Sequence, residues 1–160
     1  MSGIPMRRAR ASRRRGVLAV LAGCVLVASL ALAQQTRLPG LRGGQLTDAD
    51  LASGNWVVVV WASWSPRCRD IVERANALQQ RWGNRARVIT VDFQEDPAEV
   101  EAFLRGKSLG PPVYLDRDGE FAKARAVTSL PGLLVYRDGA VRYQGRLPAD
   151  ASSVIEEALR

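Results

Sequence analysis

An α/β fold, with a mixed central sheet flanked by helices, is predicted by three features of the chain. The run Trp56–Trp61 (WVVVVW) is β-branched and aromatic without alternation, as a central strand covered on both faces requires. Cys68, Ile71, Ala75, Leu78 and Trp82 then recur at spacings of 3, 4, 3 and 4, the stripe of a helix packed on one side. Beyond them strand-like and helix-like segments alternate and end in a hairpin and a last helix.

The elements follow in order. Thr47–Leu51 predicts a short helical turn before Gly54. Ser65 offers an N-cap and Pro66 suits a first helical position, so a helix is expected from there to about Trp82, stopped by Gly83-Asn84. Cys68 falls on its buried stripe and Ser65 at its exposed tip. Arg87–Asp92 (RVITVD) reads as the second strand, and Asp96-Pro97 caps a helix to about Arg105, with Val100, Phe103 and Leu104 inward. Pro112–Leu115 is a third strand and Glu120–Ala126 a short helix. Pro131–Tyr136 and Val141–Gly145 form a hairpin around Asp138-Gly139. Asp150 caps a final helix with Val154, Ile155, Ala158 and Leu159 on one face.

The start of the chain reads differently. Six arginines lie within residues 1–15, and residues 16–33 follow without a charge. A basic head before an apolar run is an export segment. Three outcomes stay open for it. Ala31-Leu32-Ala33 fits a cleavage site; residues 16–33 are long enough for a membrane anchor; Leu21-Ala22-Gly23-Cys24 resembles a lipoprotein box in which Cys24 is acylated. Each places the domain outside the cytoplasm, periplasmic and secreted or held at the inner membrane. The expected organisation is a signal or anchor over 1–33, a Gly- and Pro-containing linker over 34–44, and one domain over 45–160.

The chain carries 23 basic and 16 acidic residues, for a net charge of +7. Setting aside the six leader arginines leaves 17 bases against 16 acids, so the basic character belongs to the leader. No nucleic-acid partner is expected. Histidine is absent, which removes imidazole bases and the commonest metal ligand. There is no glycine-rich phosphate loop, and no cofactor or metal site is expected. Of two cysteines only Cys68 lies outside the leader.

Trp61-Ala62-Ser63-Trp64 ahead of Ser65-Pro66-Arg67-Cys68, then Leu115-Asp116-Arg117-Asp118-Gly119, then Val127-Thr128-Ser129-Leu130-Pro131 before a strand, together resemble the thioredoxin superfamily. Within it, residues 44–160 are similar to the membrane-attached TlpA/ResA-like thiol–disulfide oxidoreductases. The resemblance implies a thioredoxin fold, a cis peptide bond before Pro131, and a protein partner bound where Trp64, Pro66, Arg67, Leu130 and Pro131 meet. It also exposes departures. Redox members carry Cys-x-x-Cys, and here Ser65 stands in place of the first cysteine. Gly132 follows Pro131 where Thr is commoner. Val59 and Val88 fall where thioredoxin has its buried acid and its lysine companion.

In a Cys-x-x-Cys pair the exposed first thiolate attacks a disulfide and the second sulfur resolves the mixed disulfide. A serine hydroxyl stays protonated at neutral pH, and no base is evident to activate it. Ser65 is therefore either a helix cap or the remnant of a site kept for binding. Cys68 is either a small buried hydrophobe or a monothiol that forms mixed disulfides. Three functions follow: an extracytoplasmic domain that binds thiol-containing or extended protein partners without dithiol turnover, a monothiol oxidoreductase, or a structural subunit of a membrane assembly. Asp92, Glu95 and Asp96 read as an acidic cluster serving capping and solvation.

Overall fold

In the computed structural model, residues 36–160 are described; the expected export segment and Cys24 lie outside them. The four valines Val57–Val60 have no exposed surface, because their strand runs down the middle of a sheet with apolar layers on both sides. Burying each contributes about 1.5–3 kcal/mol relative to leaving it exposed. This strand is β3, Asn55–Trp61. It pairs in parallel with β4, Arg87–Phe93, and antiparallel with β6, Gly132–Arg137. Outside β4 lies β5, Val113–Asp116, and outside β6 lies β7, Ala140–Arg146, so the order is β5-β4-β3-β6-β7.

Side chains alternate between the two faces. Val57, Val59 and Trp61 look toward α2 (Ile71–Trp82), α3 (Pro97–Leu104) and α5 (Ser152–Ala158). Val58 and Val60 look toward α4 (Glu120–Ala124) and the N-terminal segment. The stripe expected on α2 is buried throughout: Cys68, Ile71, Ala75, Leu78 and Trp82 are each at most 8 % exposed. Asp96 and Glu99 form the capping box of α3, with the Asp96 N–H donating to Glu99 at 2.9 Å.

Two expectations need correction. The expected linker over 34–44 contains β1, Arg37–Pro39, which pairs antiparallel with β2, Gln45–Thr47. Leu38 reaches the core from it, and the Leu41 N–H donates to the Val113 carbonyl at 2.9 Å, so the segment packs along the β5 edge. Its Gly and Pro residues shape a hairpin turn rather than a free tether. The second concerns the helix expected from Pro66. Residues Pro66–Cys68 form a separate 3₁₀ turn, closed by the Cys68 N–H on the Ser65 carbonyl at 2.9 Å, and α2 starts only at Ile71. Asp70 interrupts the ladder with φ −100° and ψ 19°, outside helical geometry.

Candidate functional site

The segment Trp61–Cys68 leaves the end of β3 and crosses to α2. Its residues go to different environments. Trp61 is fully buried, with its ring centroid 5.3 Å from that of Phe103 on α3. Trp64 is 59 % exposed and leans on Phe93 at the end of β4, 6.5 Å between ring centroids.

Ser65 is 7 % exposed and Cys68 has no exposed surface. The exposed N-cap expected at Ser65 is therefore incorrect on two counts: the residue is buried, and its side chain caps nothing. The cause is the 3₁₀ turn, which brings residues three apart into line. Ser65 and Cys68 stand at its two ends, joined by the Cys68 N–H on the Ser65 carbonyl. Burial pushes the Cys68 thiol above its ordinary range; the Ala62 backbone and the Ser65 hydroxyl offset this only in part. Pro66, Arg67 and Arg69 are exposed.

Across from this turn lies the segment Val127–Pro131. The Leu130–Pro131 peptide bond is cis, and Pro131 is buried at the start of β6. Between the two segments opens a cavity of about 500 Å³, lined by Trp64, Ser65, Pro66, Arg67, Phe93, Ala122, Val127, Thr128, Ser129 and Leu130. Four of the five residues expected to bind a partner are thus in the lining, and Pro131 sits behind Leu130. Gly132 has a packing reason. A Cβ there would come within 2.8 Å of Val127 Cγ1 and 3.1 Å of the Ser129 carbonyl oxygen. Val127, in the groove wall, occupies the space a threonine would need.

The inner side of the segment holds what the sequence reading missed. Glu95, 5 % exposed, accepts from the Ser63 N–H at 2.5 Å and from the Ser63 hydroxyl. Asp92 has no exposed surface, and neither of its oxygens receives a hydrogen bond from the described residues' donors. Burial pushes its carboxyl up to about 9, with Glu95 adding to the effect. Of the cluster assigned to capping and solvation, only Asp96 does that work. The missed signal was alternation: Val88, Thr90 and Asp92 share one face of β4, and that face is covered. Asp116 is also buried, but it accepts from the Phe121 and Ala122 N–H groups at 3.0 and 2.9 Å and so starts α4. Val59 and Val88 are buried among apolar residues, so no acid or lysine lies beneath the turn at those positions.

Among the described residues no group of His, Cys, Asp and Glu side chains could hold a metal ion, and no helix is long and apolar enough to cross a membrane. The arrangement can hold an apolar or extended ligand against an aromatic wall. It presents no thiolate to it.

The AhpC/TSA family model matches residues 31–144. The thiol-disulfide oxidoreductases ResA of Bacillus thuringiensis subsp. konkukian (strain 97-27) and Bacillus cereus (strain ATCC 10987 / NRS 248) are each 26 % identical over 103 residues, 63 % of this chain. The chain spans 60 % of the length of these relatives. In fold it is similar to a protein assigned as thiol:disulfide interchange protein DsbE from Chlorobium tepidum, with a TM-score of 0.68 and 24 % identity over 80 % of this chain and 95 % of that one. It is also similar to StoA from Bacillus subtilis, with a TM-score of 0.63 and 18 % identity over 77 % of this chain and 95 % of that one. With a five-stranded mixed sheet of thioredoxin fold, a Trp-x-x-Trp segment leading into a Ser-x-x-Cys turn, and a family model over most of its length, the chain belongs to the AhpC/TSA family.

Proposed function

We propose that this chain is an extracytoplasmic thioredoxin-like domain that has given up dithiol turnover and binds protein partners in the groove beside Trp64. One observation carries the reading. Where the family's chemistry needs an exposed thiolate, Ser65 stands, while the groove next to it stays open, apolar and walled by an exposed tryptophan. A large exposed aromatic beside a cavity favours contact with a partner. A structural subunit with an unused groove would gain nothing from leaving Trp64 59 % exposed.

The partner is an extended or thiol-containing protein segment. The Val127–Leu130 wall runs directly into the cis bond at Pro131, and an extended chain laid along it would have Trp64 and Phe93 on its other side. The monothiol reading is the weaker one, since Cys68 is buried and its thiol is held protonated above the usual range. Residues 1–33, as a cleaved signal or a retained anchor, would hold the domain outside the cytoplasm, and Cys24 would matter only if the leader is lipidated.

The test is capture of partners from the intact envelope under non-reducing conditions, with wild type, Trp64→Ala and Cys68→Ala. The proposal expects partners to be lost with Trp64→Ala and kept with Cys68→Ala. Loss with Cys68→Ala alone would replace it by the monothiol reading. An alkaline phosphatase fusion after residue 160 should be active; an inactive one would overturn the location.

A further inference from the structure

Beneath the groove lies a polar cluster that binding in the groove leaves unused. Asp92 is fully buried on β4, neither of its oxygens has a hydrogen-bond partner among the described residues, and the Glu95 carboxyl is the neighbouring group that acts on it most. Glu95 in turn spends both oxygens on Ser63, one on the N–H and one on the hydroxyl. The chain of contacts therefore runs from the sheet to the middle of the Trp61–Ser65 loop. The charged groups that face Asp92 all have one sign: Glu95 from the loop after β4, Glu99 from α3, and Asp116 from the end of β5. From β3 its register partner is Trp61, an uncharged side chain whose indole N–H is itself buried without a partner. Among the described residues no cation acts on Asp92; Arg37 and Arg117 line the outer cavity beside Glu95 and Glu99.

Two carboxylates in contact away from water cannot both stay ionised. An ionised Asp92 would also leave two charged oxygens buried with no donor, the arrangement that burial penalises most. A protonated Asp92 removes both problems, because its O–H finds the Glu95 carboxyl within reach.

We propose that Asp92 is a positioning residue: it carries a proton, donates it as a hydrogen bond to Glu95, and through the Glu95 grip on Ser63 fixes the Trp61–Ser65 loop at the mouth of the groove. The two Ser63 donors meet the Glu95 oxygens from the other side. The raised carboxyl of Asp92 agrees with this assignment. The inference stands whether or not the groove binds a partner, because it concerns how the loop is held.

The test is a titration of the full-length chain from pH 5 to 10, following the side-chain carboxyl carbon of Asp92, the Ser63 amide and the Trp64 indole by NMR. Asp92 should keep the protonated-carboxyl position at pH 7 and move only as the pH nears 9. The Ser63 and Trp64 signals should shift with the same midpoint. Asp92→Asn, whose amide N–H replaces the O–H, should leave both loop signals in place at pH 7 and abolish their alkaline shift. An Asp92 carboxyl already ionised at pH 7 would overturn the proposal. So would loop signals that titrate in Asp92→Asn as in wild type. If Asp92→Asn does not fold, the wild-type titration decides alone: a carboxyl that titrates while the loop signals stay still would also overturn it.

Discussion

The two sides of the Trp61–Cys68 segment have opposite histories written in them. On the outer side, facing the groove, the group that would do chemistry is gone: Ser65 replaces a thiol, and the sulfur behind it is sealed from solvent. On the inner side, facing the sheet, lies an expensive polar arrangement, with Asp92 and Glu95 both buried and Glu95 tied to Ser63. A fold that only needed filling could place apolar residues at 92 and 95, as it does at Val59 and Val88. The contrast teaches that the loop carrying Ser65 is held from beneath by polar groups rather than by apolar filling.

Trp61 and Trp64 give the sharpest form of that contrast. Trp61 lies in the core against Phe103, so Trp61→Ala should cost about 3–5 kcal/mol of stability in denaturant unfolding. Trp64→Ala should fall within about 0.5 kcal/mol of wild type in the same measurement, since the ring is mostly in solvent. Partner capture should follow the reverse order per unit of stability lost. Equal destabilisation by the two would mean that Trp64 is a packing residue, and the comparison between the sides would fail.

The inner side has a pH signature. Asp92 keeps its proton in the folded chain up to about 9, while in the unfolded chain it gives the proton up near the ordinary value of 3.8. Between these values unfolding releases a proton, so this group makes stability fall as pH rises, at no more than about 1.4 kcal/mol per pH unit. Asp92→Asn carries no such proton. Its stability relative to wild type should therefore rise by roughly 2–3 kcal/mol between pH 5 and pH 7, read from urea unfolding at the two values. Carboxyls held below their ordinary range, such as Asp48 and Glu156, contribute the opposite slope in both proteins, and the difference between the two curves removes them. A difference between the two proteins that stayed flat from pH 5 to pH 7 would show that Asp92 is ionised in the fold.

Much of the fold was legible because burial follows period. WVVVVW could only be a covered strand, and the 3-4-3-4 stripe named the buried face of α2 residue by residue. The groove was legible through likeness: Trp64, Pro66, Arg67 and Leu130 do line one cavity. What stayed hidden depended on contacts between distant segments. Ser63 and Glu95 are 32 residues apart, and nothing local to either announces their pairing. The start of α2 was misread because Ser65-Pro66 is a sound helix opening by local rules, whereas the backbone break at Asp70 leaves only a 3₁₀ turn there. The strand β1 was misread for a related reason. Three residues among Gly and Pro carry no strand signal until β2 and the β5 edge supply partners.

On the outer side, the missing sulfur can be put back. Ser65 and Cys68 are three apart across one tight turn, and the Ser65 hydroxyl already acts on the Cys68 thiol, so Ser65→Cys should form an internal disulfide under mild oxidation with little backbone movement. Counting free thiols before and after dithiothreitol measures it. Reduction of insulin should then rise above wild type, which itself should be no faster than Cys68→Ala. The rate should remain slow. The new thiol would sit nearly buried, six residues ahead of α2, too far for that helix end to lower its pKa, and Val59 and Val88 offer no proton-handling partner. Two free thiols that persist under oxidation would mean that the turn does not hold the geometry of the family's pair.

The smallest expected effect is the one that separates the cap reading of Ser65 from its observed place. A serine that caps a helix is worth about 1 kcal/mol against alanine. Ser65 caps nothing: its side chain receives no backbone N–H, and its contact is the Cys68 sulfur. Sulfur is a weak hydrogen-bonding partner, so Ser65→Ala should cost less than about 0.5 kcal/mol in denaturant unfolding. The same change removes one of the groups that draw the Cys68 thiol down from its burial-raised position, so the thiol should become still less reactive toward a disulfide reagent under native conditions. A loss near 1 kcal/mol with unchanged thiol reactivity would restore Ser65 to a capping role. A small loss with a slower thiol would identify Ser65 as the sulfur's neighbour rather than a helix cap.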